Sequence, residues 1–470
     1  MPSRPQFKNL TRRDFLKVSG AVLGASALAA CAAPTPTPVP PPTAAPAAAP
    51  AAPAAATGPV FAAPAILKGA TINYLSYGWY VPELDDAFRV FAIDWATQNK
   101  VKFNWEIITD ATYNPKWQAA IEAKTGPNLV VTDIALNTYL GGTTDITDVA
   151  EAIQADAGAY YPAAKFNCTV GGKWRAIPWG SHPHVMVYRT DWLKEQGYDA
   201  FPTTWDGPGS VYEAGVKLKK AGHPYGFTFG PAALSDGESH IWSILWSFGA
   251  KEWNKDGSLG INTPEMVAGL EFINRLYKDC CDPACTAYGE ADNNQGFLGE
   301  KIAATINVCS IYLPAKASNP TLAAKMNHAP HPKGPAGQIA FSKVPFTFLT
   351  SYTKGNDLAA AKQFIYEAFC LAGYAKFIRH GQGYLVPVGP GWDDLPVWPS
   401  DPKLGYAKAQ AKLGRLIGYE LAEPSALSGA CYQQGVWIKM VVKSIETGDP
   451  KQAIAFATQM VGDIKKQLGL

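Results

Sequence analysis

The sequence has few charged residues and lacks the short motifs that mark common enzyme classes. Asp, Glu, Lys and Arg make up 17% of its 470 residues, whereas disordered chains usually carry many more charges. It contains no H-E-x-x-H zinc motif, no G-x-S-x-G nucleophile motif and no Walker phosphate-binding loop. These absences argue against a zinc protease, an α/β-type serine hydrolase and a P-loop nucleotidase.

The net positive charge of the chain lies at its N-terminus. The formal net charge is +2, but residues 1–31 hold five basic residues and one Asp, a net of +4, so the remaining chain carries −2. A faintly acidic body provides no electrostatic basis for binding nucleic acid or an anionic membrane. We therefore expect no nucleic-acid partner.

The first 31 residues have the pattern of an export signal. Thr11–Lys17 matches the twin-arginine pattern, and the apolar run Val18–Ala30 is too short for a permanent membrane-spanning helix. Leu28-Ala29-Ala30-Cys31 is typical of a lipobox. We predict that residues 1–31 are a twin-arginine lipoprotein signal peptide, with Cys31 as the lipid attachment site and this lipid as the only membrane contact.

A Pro- and Ala-rich stretch follows the signal. Its composition cannot bury a core and favours an extended conformation, so we predict a linker over residues 32–62. Residues 63–470 then form the folded body. A chain of this size is expected to divide into two lobes, and we find no internal repeat and no later transmembrane segment.

Seven cysteines remain besides Cys31. Export makes disulfides accessible, and Cys280 to Cys285 could close a local loop, although its spacing is not that of a zinc knuckle. Because the count is odd, at least one thiol stays free. Cys370 is expected on the apolar face of a helix, as a small core residue.

The body begins with alternating strands and helices. We predict strands at 71–75, 101–107 and 129–133, with helices at 82–99 and 115–124 between them. This order favours a parallel sheet. Ligands of such sheets bind at the carboxyl ends of the strands, where residues 77–80 and 133–139 lie.

The later elements are predicted from caps and breaks. Thr263 and Pro264 are expected to start a helix, and 301–308 is expected to form a strand. We predict a helix over 356–371, and Gly448-Asp449-Pro450 separates the last two helices.

Five local patterns, in order along about 400 residues, resemble the bacterial extracellular solute-binding proteins, the family that includes maltodextrin binders. They are Gly172–Trp179 with Val187–Leu193, Pro202–Asp206, Gly296–Ala304, Pro330–Gly337 and Gly383–Val388. The sequence departs from the family pattern at Gly207-Pro208, and at Glu300, where glycine is common. Both departures lie at scaffold positions.

The resemblance implies an α/β, two-lobe periplasmic-binding-protein fold with a cleft between the lobes and crossing hinge segments. Lobe 1 would span roughly 66–180 and 335–400, and lobe 2 roughly 190–330 and 400–470. It also implies a monomer that closes around a small ligand and docks on the permease subunits of an ABC importer at the extracytoplasmic face.

By their place in the family pattern, seven residues are candidates for ligand binding. Stacking on a sugar is expected for the tryptophans and Tyr384, and hydrogen bonding to hydroxyl groups for Asp133, His182 and Tyr312. The set is Trp79, Asp133, Trp179, His182, Trp242, Tyr312 and Tyr384. Each aromatic could instead fill a core. Trp95, Trp105, Trp117 and Trp437 lie at helix or strand spacing and are expected in the core.

Metal binding and catalysis are disfavoured. His182 with His184, and His328 with His331, lack further ligands at recognisable spacing. The adjacent carboxylates at 85–86 and 393–394 are expected to be solvated. We expect no catalytic residue, metal or cofactor.

The ligand class is left open between two chemistries. A sugar or oligosaccharide is favoured, while a cation would require several carboxylates, for which Asp133 with Glu83 or Asp236 is available. Two other functions remain as alternatives: an exported carbohydrate-active enzyme, and a ligand-sensing lipoprotein without a permease.

Overall fold

The computed structural model describes residues 69–109, 112–133 and 141–470. The predicted signal peptide with Cys31, the linker and residues 134–139 of the predicted site region lie outside the described residues.

The elements alternate along the chain, with most of the helical residues in the middle and at the end. The strands are β1 Thr71–Ser76, β2 Lys102–Ile107, β3 Leu129–Thr132, β4 Thr169–Val170, β5 Lys173–Trp174, β6 Ile177–Pro178, β7 His182–Pro183, β8 Val185–Arg189, β9 Ala304–Asn307, β10 Met326–Ala329, β11 Lys333–Gly334, β12 Gly337–Gln338, β13 Ala340–Lys343, β14 Phe346–Leu349 and β15 Gly414–Arg415. The helices are α1 Pro82–Asn99, α2 Tyr113–Ala123, α3 Thr147–Ala157, α4 Pro162–Cys168, α5 Thr190–Glu195, α6 Val211–Lys220, α7 Leu234–Leu245, α8 Pro264–Cys280, α9 Asp292–Leu298, α10 Tyr312–Ser318, α11 Pro320–Ala324, α12 Gly355–Phe369, α13 Leu371–Ile378, α14 Ala407–Leu413, α15 Ala426–Gln433, α16 Val436–Thr447 and α17 Pro450–Gln467.

Lobe 1 is built on a five-stranded sheet in the order β2-β1-β3-β14-β6. Strand β1 pairs in parallel with β2 and β3, as the alternating elements predict, and β14 joins β3 antiparallel. The apolar stripe of α1 is buried at Leu84, Phe88 and Trp95, so burial of this face holds the helix on the sheet. Trp105 is only half-buried and stacks on Tyr74.

Lobe 2 combines a small sheet with several helices. Strand β8 lies between β10 and β9, antiparallel to both. Helix α8 begins as predicted, because the Thr263 side chain accepts a hydrogen bond from the Met266 N–H and Pro264 occupies the first turn. Trp437 is buried in the core of this lobe, as predicted.

The lobes are joined by a third sheet, which we call the crossing sheet. It consists of β7, β13 and β15, with Lys343 opposite His182 and Ala340 opposite Gly414. Along the chain, β7 follows β6 of lobe 1 and precedes β8 of lobe 2, and β13 precedes β14 of lobe 1. The predicted two-lobe α/β fold is confirmed.

Three local predictions differ from the structure. The helix predicted over 356–371 is two helices, since Cys370 has an extended backbone (φ −65°, ψ 164°) between α12 and α13. Cys370 is therefore a half-buried residue at a helix junction, not part of a helix face. The strand predicted at 301–308 is limited to Ala304–Asn307. The seven described cysteines are all free thiols, so the local loop is not closed.

Candidate functional site

A cavity of about 650 Å³ lies between the two lobes, above the crossing sheet. This volume is within the range typical of small-molecule sites, roughly 300–1,000 Å³. Lobe 1 contributes the residues that follow β1, β2 and β3, together with α2. Lobe 2 contributes the start of α7, the residues that follow β9 and the end of α15. We refer to this cavity as the cleft.

The floor of the cleft contains two histidines and a lysine from the crossing sheet and the turn after it. His182 Nδ1 donates to the Tyr384 carbonyl at 2.9 Å, so Nε2 is left as an acceptor. Burial, then the charge of Lys343, lowers the pKa of His182 to about 3. His184 also lines the cleft, and burial lowers its pKa well below the usual value. Both imidazoles are neutral at pH 7.

Lys343 connects the two walls. Its ammonium forms an ion pair with Asp133 of lobe 1 and donates to Ser235 Oγ of lobe 2 at 2.9 Å. Burial alone would lower the pKa of Lys343, but the charge and hydrogen bond of Asp133, together with the nearby Tyr432 and Glu290, outweigh burial and the pKa is raised. The single ammonium that lines the cleft, among the described residues, is therefore charged and already neutralised.

The lobe 1 wall is aromatic. Tyr77, Tyr80 and Tyr113 line it, with Asn114 and Gln118 of α2. The Tyr80 side chain is 69% exposed, which places a large aromatic face at the cleft mouth. This position is the carboxyl end of β1, where the sequence places a ligand site.

One carboxylate that the sequence predicts to be solvated instead supports this wall. Asp85 Oδ2 accepts a hydrogen bond from the Trp79 N–H at 2.9 Å. It thereby fixes the loop after β1. Asp393 is likewise engaged, with Tyr161 and Lys412, whereas Asp86 and Asp394 are exposed.

The lobe 2 wall is a connected polar network. Asp236 Oδ2 accepts from Asn293 Nδ2 at 2.8 Å and from Asn307 Nδ2 at 3.4 Å. Asn307 also donates to Asn294 Oδ1 at 2.6 Å. These amides orient the Asp236 carboxyl group in the cleft wall.

A second carboxylate lies beside Asp236. Glu290 accepts from the Ser235 N–H at 2.7 Å and from the Asp236 N–H at 3.2 Å, so it caps the start of α7. Burial, then the negative charge of Glu290, raises the pKa of Asp236 to about 7. Asp236 is therefore partly protonated near neutral pH.

The structure brings three of the seven predicted ligand-binding residues into the cleft. These are Asp133, His182 and Tyr384. The rings of His182 and Tyr384 are 4.5 Å apart between centroids.

The other four lie outside the lining. Trp79 and Trp179 are buried in the lobe 1 core, 5.3 Å apart between ring centroids. Trp242 is buried in lobe 2, where its indole N–H donates to Glu238. Tyr312 on α10 donates to Asp401. As placed, none of these four side chains can stack on or bond to a molecule in the cleft.

Sequence reasoning missed most of the lobe 2 wall. Asn307 ends β9 and Ser310 follows it, much as Asp133 follows β3, so the strand-end rule could have found them. Lys343, Tyr432 and Glu290 have no comparable signal, because each reaches the cleft only through packing of distant segments.

The cleft does not resemble a metal centre. Among the described residues, no group of three or more His, Cys, Asp or Glu side chains could hold a metal ion. His328 lies elsewhere, where its Nδ1 contacts the Lys403 carbonyl.

Comparison with known proteins identifies related sequences and folds. A curated relative from Deinococcus radiodurans, named "Probable ABC transporter-binding protein", is 29% identical over 199 residues. That match spans 42% of this chain and 47% of the relative, so the chain aligns with less than half of that protein.

Two solved structures share the fold. A maltose-bound MalE3 of T. maritima is 20% identical with a TM-score of 0.67, covering 84% of this chain and 100% of the other. A sugar transporter protein of Arthrobacter chlorophenolicus A6 with bound laminaribiose is 19% identical with a TM-score of 0.68, covering 84% and 99%. A family model described as bacterial extracellular solute-binding protein matches residues 91–405, more than half of the chain. The chain belongs to the bacterial extracellular solute-binding protein family.

Proposed function

We propose that this protein is the substrate-binding component of an ABC importer and captures a small solute, a sugar or oligosaccharide, by closing its lobes. The observation that carries this proposal is the cleft of about 650 Å³, whose walls come from different lobes and whose floor is the crossing sheet. A ligand that touches both walls favours the closed arrangement, because it gains contacts that the open arrangement lacks.

The chemistry of the cleft supports a sugar. Sugars present apolar C–H faces and a rim of hydroxyl groups, which suit aromatic rings and amide or carboxylate partners. Tyr77, Tyr80 and Tyr384 supply rings, and Asn294 and Asn307 supply amides. The two structural neighbours, one with maltose bound and one with laminaribiose bound, agree with this chemistry.

Export and anchoring belong to the same proposal. The family acts outside the cytoplasm, and no helix in the described ranges is long and apolar enough to cross a membrane. We propose that the twin-arginine signal directs export, that a lipid on Cys31 anchors the chain and that residues 32–62 tether residues 63–470 near the permease.

The two alternatives predict different products and partners. A carbohydrate-active enzyme would need two carboxyl groups on either side of a sugar. Asp133 is paired with Lys343, and Asp236 and Glu290 lie on the same wall, so this arrangement favours binding over hydrolysis. A sensor would bind the same ligands without a permease.

Binding can be tested with Tyr80→Ala. The test ligands are maltose, maltotriose, laminaribiose and cellobiose. Their binding is measured by tryptophan fluorescence and by thermal shift. We expect at least one sugar to raise the Tm of the unmodified protein, and Tyr80→Ala to weaken that binding by about tenfold, since a stacked aromatic contributes roughly 1 kcal/mol or more.

The matched control is Phe456→Ala, because Phe456 is also an exposed aromatic (37%) but lies on α17, outside the cleft lining. It should leave affinity unchanged. Sugar capture is contradicted if no sugar binds, and stacking on Tyr80 is contradicted if both variants behave alike. Mass spectrometry of the released sugar distinguishes capture from turnover, because an altered sugar identifies an enzyme.

A further inference from the structure

The charges that line the cleft are unbalanced. Among the described residues, the lining has three carboxylates, Asp133, Asp236 and Glu290, and one ammonium, Lys343. Lys343 is paired with Asp133 on the other wall. The two segments that follow Thr109 and Asp133 outside the described ranges, 110–111 and 134–140, contain no Lys or Arg in the sequence. Asp236 and Glu290 thus form no ion pair among the described residues, and Lys343 acts on them only as a neighbouring charge.

An aromatic ring lies near this pair. Tyr80, Asp236 and Glu290 line the cleft together, and the pKa of Tyr80 is raised, first by desolvation and then by the negative charges of Glu290 and Asp236. Its ring is 6.1 Å from that of Tyr384. An aromatic face beside carboxylates is the combination that attracts an ammonium group, since the ring quadrupole adds to the charge attraction.

One further hydrogen-bond acceptor lines the cleft. His182 is 4% exposed and lines the cleft, and its Nε2 has no hydrogen-bond partner among the described residues. Because Nδ1 carries the proton, Nε2 can only accept. An N–H or O–H donor on a ligand would satisfy this acceptor. The cleft therefore fits a ligand that brings hydrogen-bond donors to its floor.

We propose that the captured solute carries a protonated amine, which binds between Asp236, Glu290 and the ring of Tyr80. This inference rests on the proposed capture function and narrows its ligand class. Amino sugars and polyamines share this chemistry, and the test separates them.

Matched disaccharides isolate the amine. The β-1,4-linked glucosamine disaccharide, its di-N-acetylated form and cellobiose share their linkage and differ at the C2 substituent, which is an ammonium, an acetamide or a hydroxyl group. Spermidine supplies amines without a sugar. Calorimetric titration of the exported protein with each, at pH 7, is expected to show at least tenfold tighter binding of an amine than of cellobiose.

The outcomes are distinguishable. Tight binding of the glucosamine disaccharide supports a solute that is a sugar and carries an amine. Binding of spermidine alone supports the amine and contradicts the proposal that the solute is a sugar. Equal binding of cellobiose overturns the amine assignment and leaves sugar capture intact. If none of the four binds, the amine assignment is wrong, and the neutral-sugar panel decides the capture function.

The variant that tests the contact is Asp236→Asn. Asparagine keeps the shape and removes the charge, so we expect amine affinity to fall at least tenfold with no loss of Tm in the absence of ligand. Glu271→Gln is the control, because Glu271 is exposed on α8, outside the cleft lining. Equal affinities of the two variants for the amine would overturn the assignment.

Proton release gives a second readout. The charged or titratable groups that act on Asp236 from the surrounding elements are Glu290, Lys343 and Tyr80. Since Asp236 has a pKa of about 7, docking of spermidine at pH 6.5 should displace its proton. Calorimetric titrations in two buffers of different ionisation enthalpy report the number of protons released on binding. We expect proton release from the unmodified protein and none from Asp236→Asn. Absence of release in both would contradict the contact.

Discussion

Two carboxyl groups are buried together in lobe 2. Glu252 accepts from the Trp246 indole N–H at 3.2 Å and from the Gly418 N–H at 3.3 Å. Glu420 lies beside it, and both Glu420 carboxyl oxygens are buried without a hydrogen-bond partner among the described residues; two neighbouring carboxyl groups in such a site are not both ionised, so one of them carries a proton. Burial first, then the charge of Glu252, raises the pKa of Glu420 to about 10. The pair connects the lobe 2 core to the segment that follows β15.

This pair should make stability depend on pH. A carboxyl group that titrates near 4.3 when unfolded and higher when folded binds more protons in the folded state, so stability falls as pH rises from about 5 towards 10. Glu420→Gln keeps the size and polarity of the side chain without the charge. We expect this variant to flatten the decline and to gain about 1–3 kcal/mol at pH 8, measured by urea unfolding.

The control for this effect is Glu446→Gln on the exposed side of α16. In this variant the free energy of unfolding should fall with rising pH as it does in the unmodified protein. A pH profile of Glu420→Gln that matches the unmodified profile would show that the two carboxyl groups do not share a proton.

At the residue scale, sequence patterns identified the strand-end residues better than the aromatics. Asp133, Tyr77 and Tyr80 line the cleft because the end of a parallel strand is a fixed place in the fold. Trp179 and Trp242 do not, because a large indole stabilises a core as readily as a binding site. The local sequence around a tryptophan does not reveal whether its side chain faces the core or the cleft.

At the element scale, the end of α9 explains one departure from the family pattern. Glu300 occupies the position where glycine is common, and its φ is +55°. The Lys301 N–H bonds to the Gly296 carbonyl and the Glu300 N–H to the Phe297 carbonyl, a Schellman ending that normally favours glycine. Glu300 also forms an ion pair with the buried Arg189 at 2.9 Å. The ion pair offsets part of the backbone cost.

Two substitutions separate these effects. Glu300→Ala keeps the left-handed backbone and loses the ion pair, so it should destabilise by about 0.2–1 kcal/mol, because Glu300 is 49% exposed. Glu300→Gly also loses the pair but removes the strain, and should be more stable than Glu300→Ala by about 1 kcal/mol. Urea unfolding measures both. If alanine is as stable as glycine at this position, the backbone there is not strained.

Element prediction succeeded where one segment contains the whole signal. Helix α1 has the predicted bounds, because its apolar stripe and starting proline are local features. It failed at Cys370, where an unbroken apolar pattern spans two helices. That break depends on a contact within lobe 1 between distant segments, in which the Leu371 N–H donates to Asp156 at 2.6 Å.

At the scale of the whole molecule, the two-lobe fold was predictable and the composition of the cleft was not. The order of strands and helices, with the five motifs, specified two lobes. The crossing sheet joins residues 182, 343 and 414, which are far apart in the chain. Since the cleft depends on such distant pairings, sequence periodicity could not predict which side chains meet there.

The central claim is that the lobes close around a solute. Spin labels at Val90→Cys on α1 and Val216→Cys on α6, both exposed positions, report the distance between the lobes when Cys31 and Cys370 are replaced by serine. Pulsed dipolar spectroscopy is then carried out with and without the saccharide that raises the Tm most. The account predicts a single, shorter distance with saccharide bound, and an unchanged distance at saturating saccharide would contradict it.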